Sequence, residues 1–355
     1  MGGRQSGCSF RLTDLVIMKI YPIAELKSDW YPKNAITSFR KHSTCRFVDR
    51  PEEAELIWIF SYYQPLTDIA AKPWLAGLFN GPTYRRRRGL EGKPIIASIH
   101  HLVPAKEAQF LPRVRAVDAI SDAIQFFSRI NAEQCRQYFE KPIFILPYWI
   151  DRELFRPILG DERKVLRERF GLPDDRIIVG SFQRDTESDL VTPKYEKGPD
   201  LFCDVMERLD PGKYFVLLSG VRRNYVEGRL AKAGIPFVNI GKVAFERMAE
   251  LYGCLDYYLV TSSYEGGPQA ILESMATGTP VYSTPVGVSD ILAPSVICAK
   301  AADFAEALQG PYPGVVDRHL ETVRKFEVGK VVAEYERAFA AIIESRGAVP
   351  AGLAL

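Results

Sequence analysis

Residues 259–287, LVTSSYEGGPQAILESMATGTPVYSTPVG, read as strand, loop, helix and strand. Two strands joined through a helix run parallel, so this segment alone commits the chain to a parallel sheet covered by helices. Gly266 and Gly267 let the backbone turn tightly and approach a ligand, Pro268 suits a first helical position, and Gly278 suits a helix end. The helix begins at the top of a parallel strand, where its free amides and dipole favour an anion, most naturally a phosphate. Glu273 lies on that helix among Ile271, Leu272, Met275 and Ala276, where a carboxylate needs partners. Two adjacent ribose hydroxyls would supply them; the alternative is a carboxylate that escapes to solvent at the helix surface.

The rest of the chain repeats this alternation. In the first half the predicted strands are residues 18–23, 55–60, 94–99, 123–127 and 143–146; in the second they are 177–182, 214–219, 237–240, 257–261 and 280–283. Helical stretches separate them, among them GDERKVLRERF, PDLFCDVMERL and FERMAELYGCL. LPYWIDRELFRP, with a proline near each end, closes the first series and reads as a linker. The expected organisation is α/β, two doubly wound Rossmann-like units in tandem, with ligands in the cleft between them beyond the strands' carboxyl ends. The predicted boundaries are 1–151 for a first domain with 1–17 as a tail, 152–329 for a second domain, and 330–355 for a last helix docking back on the first domain. That helix carries Val331, Val332, Tyr335, Phe339 and Ile342 at helical spacing.

A length of 355 residues, 47% of them hydrophobic, is enough for two cores. The net charge of +2 gives no global attraction to nucleic acid, and no nucleic-acid-binding module is recognisable. The halves differ. Residues 1–150 hold 21 Lys+Arg and 14 Asp+Glu, net +7, leaving 46 − 21 = 25 and 44 − 14 = 30, net −5, for the remainder. Six separated cysteines suit reduced thiols in the cytoplasm. The start of the chain lacks a signal-peptide pattern, Met18 is an alternative start, and no run approaches the roughly 20 apolar residues of a membrane span. Arg85, Arg86, Arg87 and Arg88 form a concentrated basic run that suits either peripheral contact with anionic membrane or a solvated loop. The aromatic residues Trp30, Tyr31, Trp58, Tyr62, Tyr63, Trp74 and Tyr84 serve either acceptor stacking or core.

Glu265 and Glu273 are separated by seven residues, and EGGPQAILESMATGTPV resembles the signature of the retaining family 4 glycosyltransferases, which have the two-domain GT-B fold. LPYWIDRELFRP, GSFQRDTE, EKGPDLF and AEYERAF extend the resemblance through most of the second half; over the first 150 residues it is looser. The resemblance implies transfer of a hexose from a UDP- or GDP-sugar to a glycan or lipid-linked acceptor in cell-surface polysaccharide or glycoconjugate synthesis. It assigns Arg184 and Lys197 to the donor diphosphate, with Lys194 as the alternative to Lys197 because the segment between them exceeds the family's spacing. Glu265 is implied beside the transferred sugar and Glu273 at the ribose. Gly266, Gly267, Pro268, Gln269 and Ala270 would meet sugar and phosphates, and Val243 the base. His100, or else His101, would face the sugar. The family's glycine-rich loop after the first strand is replaced by KIYPIAELKSDWYPKN, where Lys27, Ser28 and Asp29 offer a different wall. No Asp-x-Asp motif occurs, which agrees with cations rather than an essential metal at the diphosphate.

Two other classes share this architecture: sugar-nucleotide epimerases or phosphorylases, and non-catalytic sugar-nucleotide-binding proteins. A nicotinamide-dependent dehydrogenase is disfavoured, because neither half has a strand followed by GxGxxG.

Overall fold

The computed structural model describes residues 17–24, 31–71, 84–310, 314–353 and 355. The tail before residue 17, Lys27, Ser28, Asp29, Trp30 and Trp74 lie outside the described residues, as does the side chain of Tyr31. The strands are β1 (Lys19–Ile23), β2 (Arg46–Phe47), β3 (Leu56–Ile59), β4 (Ala70–Ala71), β5 (Arg85–Arg86), β6 (Ile95–Ile99), β7 (Ala123–Phe126) and β8 (Ile143–Ile145), then β9 (Ile177–Ser181), β10 (Tyr214–Leu218), β11 (Phe237–Asn239), β12 (Tyr257–Val260) and β13 (Val281–Ser283). Strands β4 and β5 pair antiparallel with each other, and the other eleven form a six-stranded sheet in the order β2-β1-β3-β6-β7-β8 and a five-stranded sheet in the order β11-β10-β9-β12-β13. Both sheets are parallel throughout.

All ten strands expected from the apolar runs are present, each shortened by a residue or two. Their burial explains why they were legible: Leu56–Ile59, Ile95–Ile99 and Tyr257–Val260 are buried at every position, as central strands covered on both faces must be. The short strands β2, β4 and β5 carry no such pattern. Strand β5 falls within the basic run, where Arg86 pairs with Asp122 at 2.6 Å and Arg87 donates to the Asp68 carbonyl at 2.9 Å. Arg85 and Arg88 are exposed, so the run is partly absorbed into structure.

The chain crosses between the sheets twice, and the crossings lie side by side. Ile150 N–H donates to the Phe326 carbonyl at 2.8 Å, and Val328 N–H donates to the Ile150 carbonyl at 3.0 Å. The last helix, Val328–Glu344, then packs on the first domain. Tyr335 and Phe339 meet Phe39, Trp58 and Trp149 with ring centroids 5.2–5.6 Å apart. The Tyr335 hydroxyl lies 3.2 Å from the Leu146 and Pro147 carbonyls, tying that helix to the first crossing.

His319 is buried, with neither ring nitrogen hydrogen-bonded, and burial followed by the Arg318 charge lowers its pKa to about 4. The unfolded chain, with an ordinary histidine pKa, takes up this proton first, so stability present above about pH 6.5 is lost as pH falls toward 4. The loss at pH 4 is about 3 kcal/mol at 1.36 kcal/mol per unit. Thermal melts of His319→Leu should show a shallower decline over that window; an unchanged slope would exclude His319 as a source of acid sensitivity.

Candidate active site

Between the two sheets lies a cavity of about 430 Å³, within the range of small-molecule sites. The first domain contributes Asn34, His100 and His101, the crossing contributes Tyr148, and the second domain supplies most of the wall. Lys197, Val243, Glu265, Gly266, Gly267, Pro268, Gln269, Ala270 and Glu273 all line it. Of the expected donor-site residues that are described, Arg184 and the alternative cation Lys194 are absent from this lining.

Arg184 is exposed for a local reason. Beyond β9, Phe182 and Gln183 turn into the cavity, and the chain is then pinned from behind. Asp185 and Thr186 both donate their N–H groups to the Arg222 carbonyl, at 3.0 and 3.2 Å. Buried Arg223 places Nη2 3.0 Å from Ser181 Oγ and Nε 3.4 Å from Asp185 Oδ2. With Asp185 held inward, its predecessor points to solvent. Lys197 rather than Lys194 reaches the cavity, because Lys194 is engaged by Glu187 and Glu196 at 3.2 and 3.1 Å.

Lys197 Nζ donates to Glu265 Oε1 at 2.7 Å, and Ser262 Oγ donates to the same oxygen at 2.9 Å. The lysine's backbone is fixed as well: Gln183 Nε2 donates to the Lys197 carbonyl at 2.6 Å. Burial pushes the Glu265 carboxyl up, but Lys197, His101 and the two hydrogen bonds more than offset it, holding the group below the ordinary carboxylate range. Glu273 is the opposite case. Its side chain is buried with the Tyr252 hydroxyl donating to Oε2 at 2.8 Å, and burial, only partly opposed by that bond, raises its pKa to about 7. Phe182, Phe245, Met248, Tyr252 and Tyr258 give this end an apolar, aromatic wall. The sequence flagged none of them, since each reads equally well as core.

His100 and His101 both line the cavity, and their rings are held differently. His100 places Nδ1 2.7 Å from the Tyr148 hydroxyl and Nε2 2.8 Å from the Phe60 carbonyl, so both nitrogens are committed to protein. The carbonyl can only accept, which puts the imidazole proton on Nε2. His101 sits in the field of Lys197 and Glu265, and burial followed by Lys197 keeps it neutral, with a pKa of about 4.

Gly266 and Gly267 serve a purpose the sequence did not disclose. A Cβ on Gly266 would lie 1.0 Å from the His100 carbonyl oxygen, and one on Gly267 would lie 2.6 Å from the Tyr148 ring. The glycines let the first domain and the crossing close onto the loop. Ser128 Oγ donates to the Gly266 carbonyl at 2.8 Å, and Gln269 Nε2 donates to the Trp149 carbonyl at 2.6 Å, completing the contact. The helix Gln269–Ala276 starts directly behind this junction, and its first two residues line the cavity.

Two parallel-sheet domains facing each other across a ligand-sized cleft define the GT-B fold. Among solved structures the chain is similar to Anabaena HepE in complex with UDP and glucose (TM-score 0.69, 13% identity, 91% of this chain and 100% of that chain). It is also similar to sucrose-phosphate synthase from Thermosynechococcus elongatus (TM-score 0.63, 19% identity, 82% and 74% of the chains). Identities this low carry the fold alone. In sequence, residues 189–310 match the family described as glycosyl transferases group 1. The lipopolysaccharide core biosynthesis mannosyltransferase LpsB of Rhizobium meliloti (strain 1021) is 27% identical over 159 residues, a stretch spanning 42% of this chain and 42% of that protein. Among the described residues, no helix is long and apolar enough to cross a membrane.

Proposed function

We propose that this chain is a glycosyltransferase that moves a hexose from a UDP- or GDP-sugar to a glycan or lipid-linked acceptor, with retention of configuration and without a metal. The observation that carries the reading is the convergence of Lys197, Glu265, Glu273 and the start of helix Gln269–Ala276 on one cleft. The group 1 match over residues 189–310 supports it, as do neighbours solved with UDP-glucose; the LpsB likeness favours a polysaccharide or lipopolysaccharide acceptor. Any contact with an anionic membrane rests on Arg85, Arg87 and Arg88, the exposed cations of the basic run.

In this reading the base lies by Val243 and the aromatic wall, the ribose on Glu273, and the diphosphate between Lys197 and the helix amides. As the C1–O bond to phosphate breaks, charge grows on the leaving oxygen, where fixed cations and amides lower the barrier. The acceptor oxygen bonds to C1 on the face the diphosphate leaves, and its proton passes to a leaving-group phosphate oxygen. Glu265, held ionised by Lys197, and neutral His101 flank the sugar. Retention rests on the resemblance of EGGPQAILE to a retaining signature. The test is release of nucleoside diphosphate from a panel of UDP- and GDP-sugars with glycan or lipid-linked acceptors, in EDTA, with the product's anomeric configuration read by NMR. Acceptor-dependent release with retained configuration is expected; no release from any donor would count against transfer.

Glu273 gives this reading a pH dependence. Ionised, its carboxylate can accept from both ribose hydroxyls, whereas the protonated acid keeps a hydrogen on one oxygen, so donor affinity should rise with pH through about 7 and level off above it. In the free protein, raising pH from 4.5 through about 7 places an increasingly disfavoured charge in the interior, so folded stability falls over that window. Glu273→Gln should therefore raise the melting temperature at pH 8, by relief of about 3 kcal/mol at 1.36 kcal/mol per unit, while raising donor KM about tenfold and abolishing its pH dependence. A donor KM unchanged by the substitution would remove Glu273 from the ribose site.

A further inference from the structure

The segment between Arg184 and Lys197 folds into an arm that reaches the first domain. Thr186 bridges Pro193 in antiparallel fashion, Glu187 N–H donates to the Thr192 carbonyl at 2.8 Å, and Asp189 caps the turn through the N–H groups of Val191 and Thr192. At the arm's base, Glu187 and Glu196 share two lysines. Lys194 comes from the arm itself; Lys106 comes from the loop after β6 in the first domain, its Nζ 2.6 Å from Glu187 Oε1 and 2.6 Å from Glu196 Oε1. The Glu196 side chain is 11% exposed and that of Lys194 17%, whereas Lys106 and Glu187 are 31% and 33% exposed, so the inner pair is screened less than the outer one. Two cations balance two carboxylates only when Lys106 is in place.

The cluster abuts the cavity. The Glu196 carbonyl accepts from Ser263 N–H at 3.0 Å, at the start of the loop carrying Glu265, and the next residue is Lys197, bonded to Glu265. We propose that Lys106 is an interdomain latch and a positioning residue for sugar transfer: its docking between Glu187 and Glu196 fixes the turn Tyr195–Lys197 so that Lys197 pairs with Glu265 rather than with the arm. Without Lys106 the arm carries an uncompensated negative charge one residue from Lys197, which draws that cation out of the cavity. This inference rests on the transfer reading for its catalytic consequence, and on the two-domain contact alone for its structural one.

The experiment compares the wild type, Lys106→Met, Lys106→Arg and the charge exchange Lys106→Glu with Glu187→Lys, measuring kcat, donor KM and small-angle scattering of the ligand-free proteins. Lys106→Met should lower kcat about tenfold with donor KM within about twofold, Lys106→Arg should keep most of the rate, and the exchange should recover most of the loss. A wild-type kcat in Lys106→Met, or an exchange no better than Lys106→Met, overturns the latch. If the wild-type protein transfers no sugar at all, the transfer reading fails on its own and scattering decides: a larger radius of gyration in Lys106→Met supports the latch, and superimposable profiles overturn it.

Discussion

Exchanging Lys197 for methionine should lower kcat about 10²–10³-fold, the usual consequence of removing one fixed charge or donor from a developing oxyanion. A second effect accompanies it. Glu265 is ionised because Lys197 compensates its burial, so removing the lysine leaves a buried carboxylate unpaired, and the substitution should also destabilise the fold by about 3 kcal/mol or more. Adding Glu265→Gln separates the two, since the double variant regains stability without regaining turnover. Arg184→Met is the comparison: its side chain points to solvent outside the cavity, so it should lose far less than Lys197→Met. Steady-state kinetics and melts of the four proteins check this. Equal large losses from Arg184→Met and Lys197→Met would bring Arg184 to the diphosphate as well, and a wild-type rate in Lys197→Met would place the diphosphate elsewhere than beside Lys197.

Gly266→Ala should cost activity without removing a single polar group of the site. The added methyl would sit 1.0 Å from a backbone oxygen of His100, and backbone cannot step aside as a flexible side chain can. The first domain must move back by an ångström or more, separating His101 from Glu265 and Lys197. Misplacement on that scale costs about 10²-fold in rate when geometry is what the site supplies. Gly267→Ala, which meets side chains rather than backbone, the Tyr148 ring at 2.6 Å and Val288 Cγ1 at 3.3 Å, should lose about tenfold or less. The measurement is kcat/KM for both variants, alongside melts to show that each remains folded. A wild-type rate in Gly266→Ala would show that catalysis does not use the closed arrangement.

The contrast between these two sites shows which information the sequence carried. Alternation and burial made the ten long strands and the helix Gln269–Ala276 readable, because a strand covered on both faces must be apolar wherever it occurs. Spacing placed Glu265 and Glu273, since a strand and its following helix form a local unit. What remained hidden depends on residues distant in the chain. Nothing around Gly266 names the His100 carbonyl, nothing around Lys106 names Glu187 or Glu196, and only the three-dimensional path after β9 turns Gln183 inward and Arg184 out. The preference for His100 over His101 followed from its place at the strand end, yet that same place commits its ring to Tyr148 and Phe60. Asn34 escaped notice for a different reason: an asparagine on an amphipathic helix gives no chemical signal until the opposite wall of the cavity is known.

Titration calorimetry of the wild-type protein and Glu273→Ala with UDP- and GDP-sugars probes the cleft most directly. Saturable one-to-one binding of at least one nucleotide-sugar, weakened about tenfold or more by the substitution, is the expected result. No heat from any of them, or identical isotherms for the two proteins, would contradict a nucleotide-sugar seated between Lys197 and Glu273.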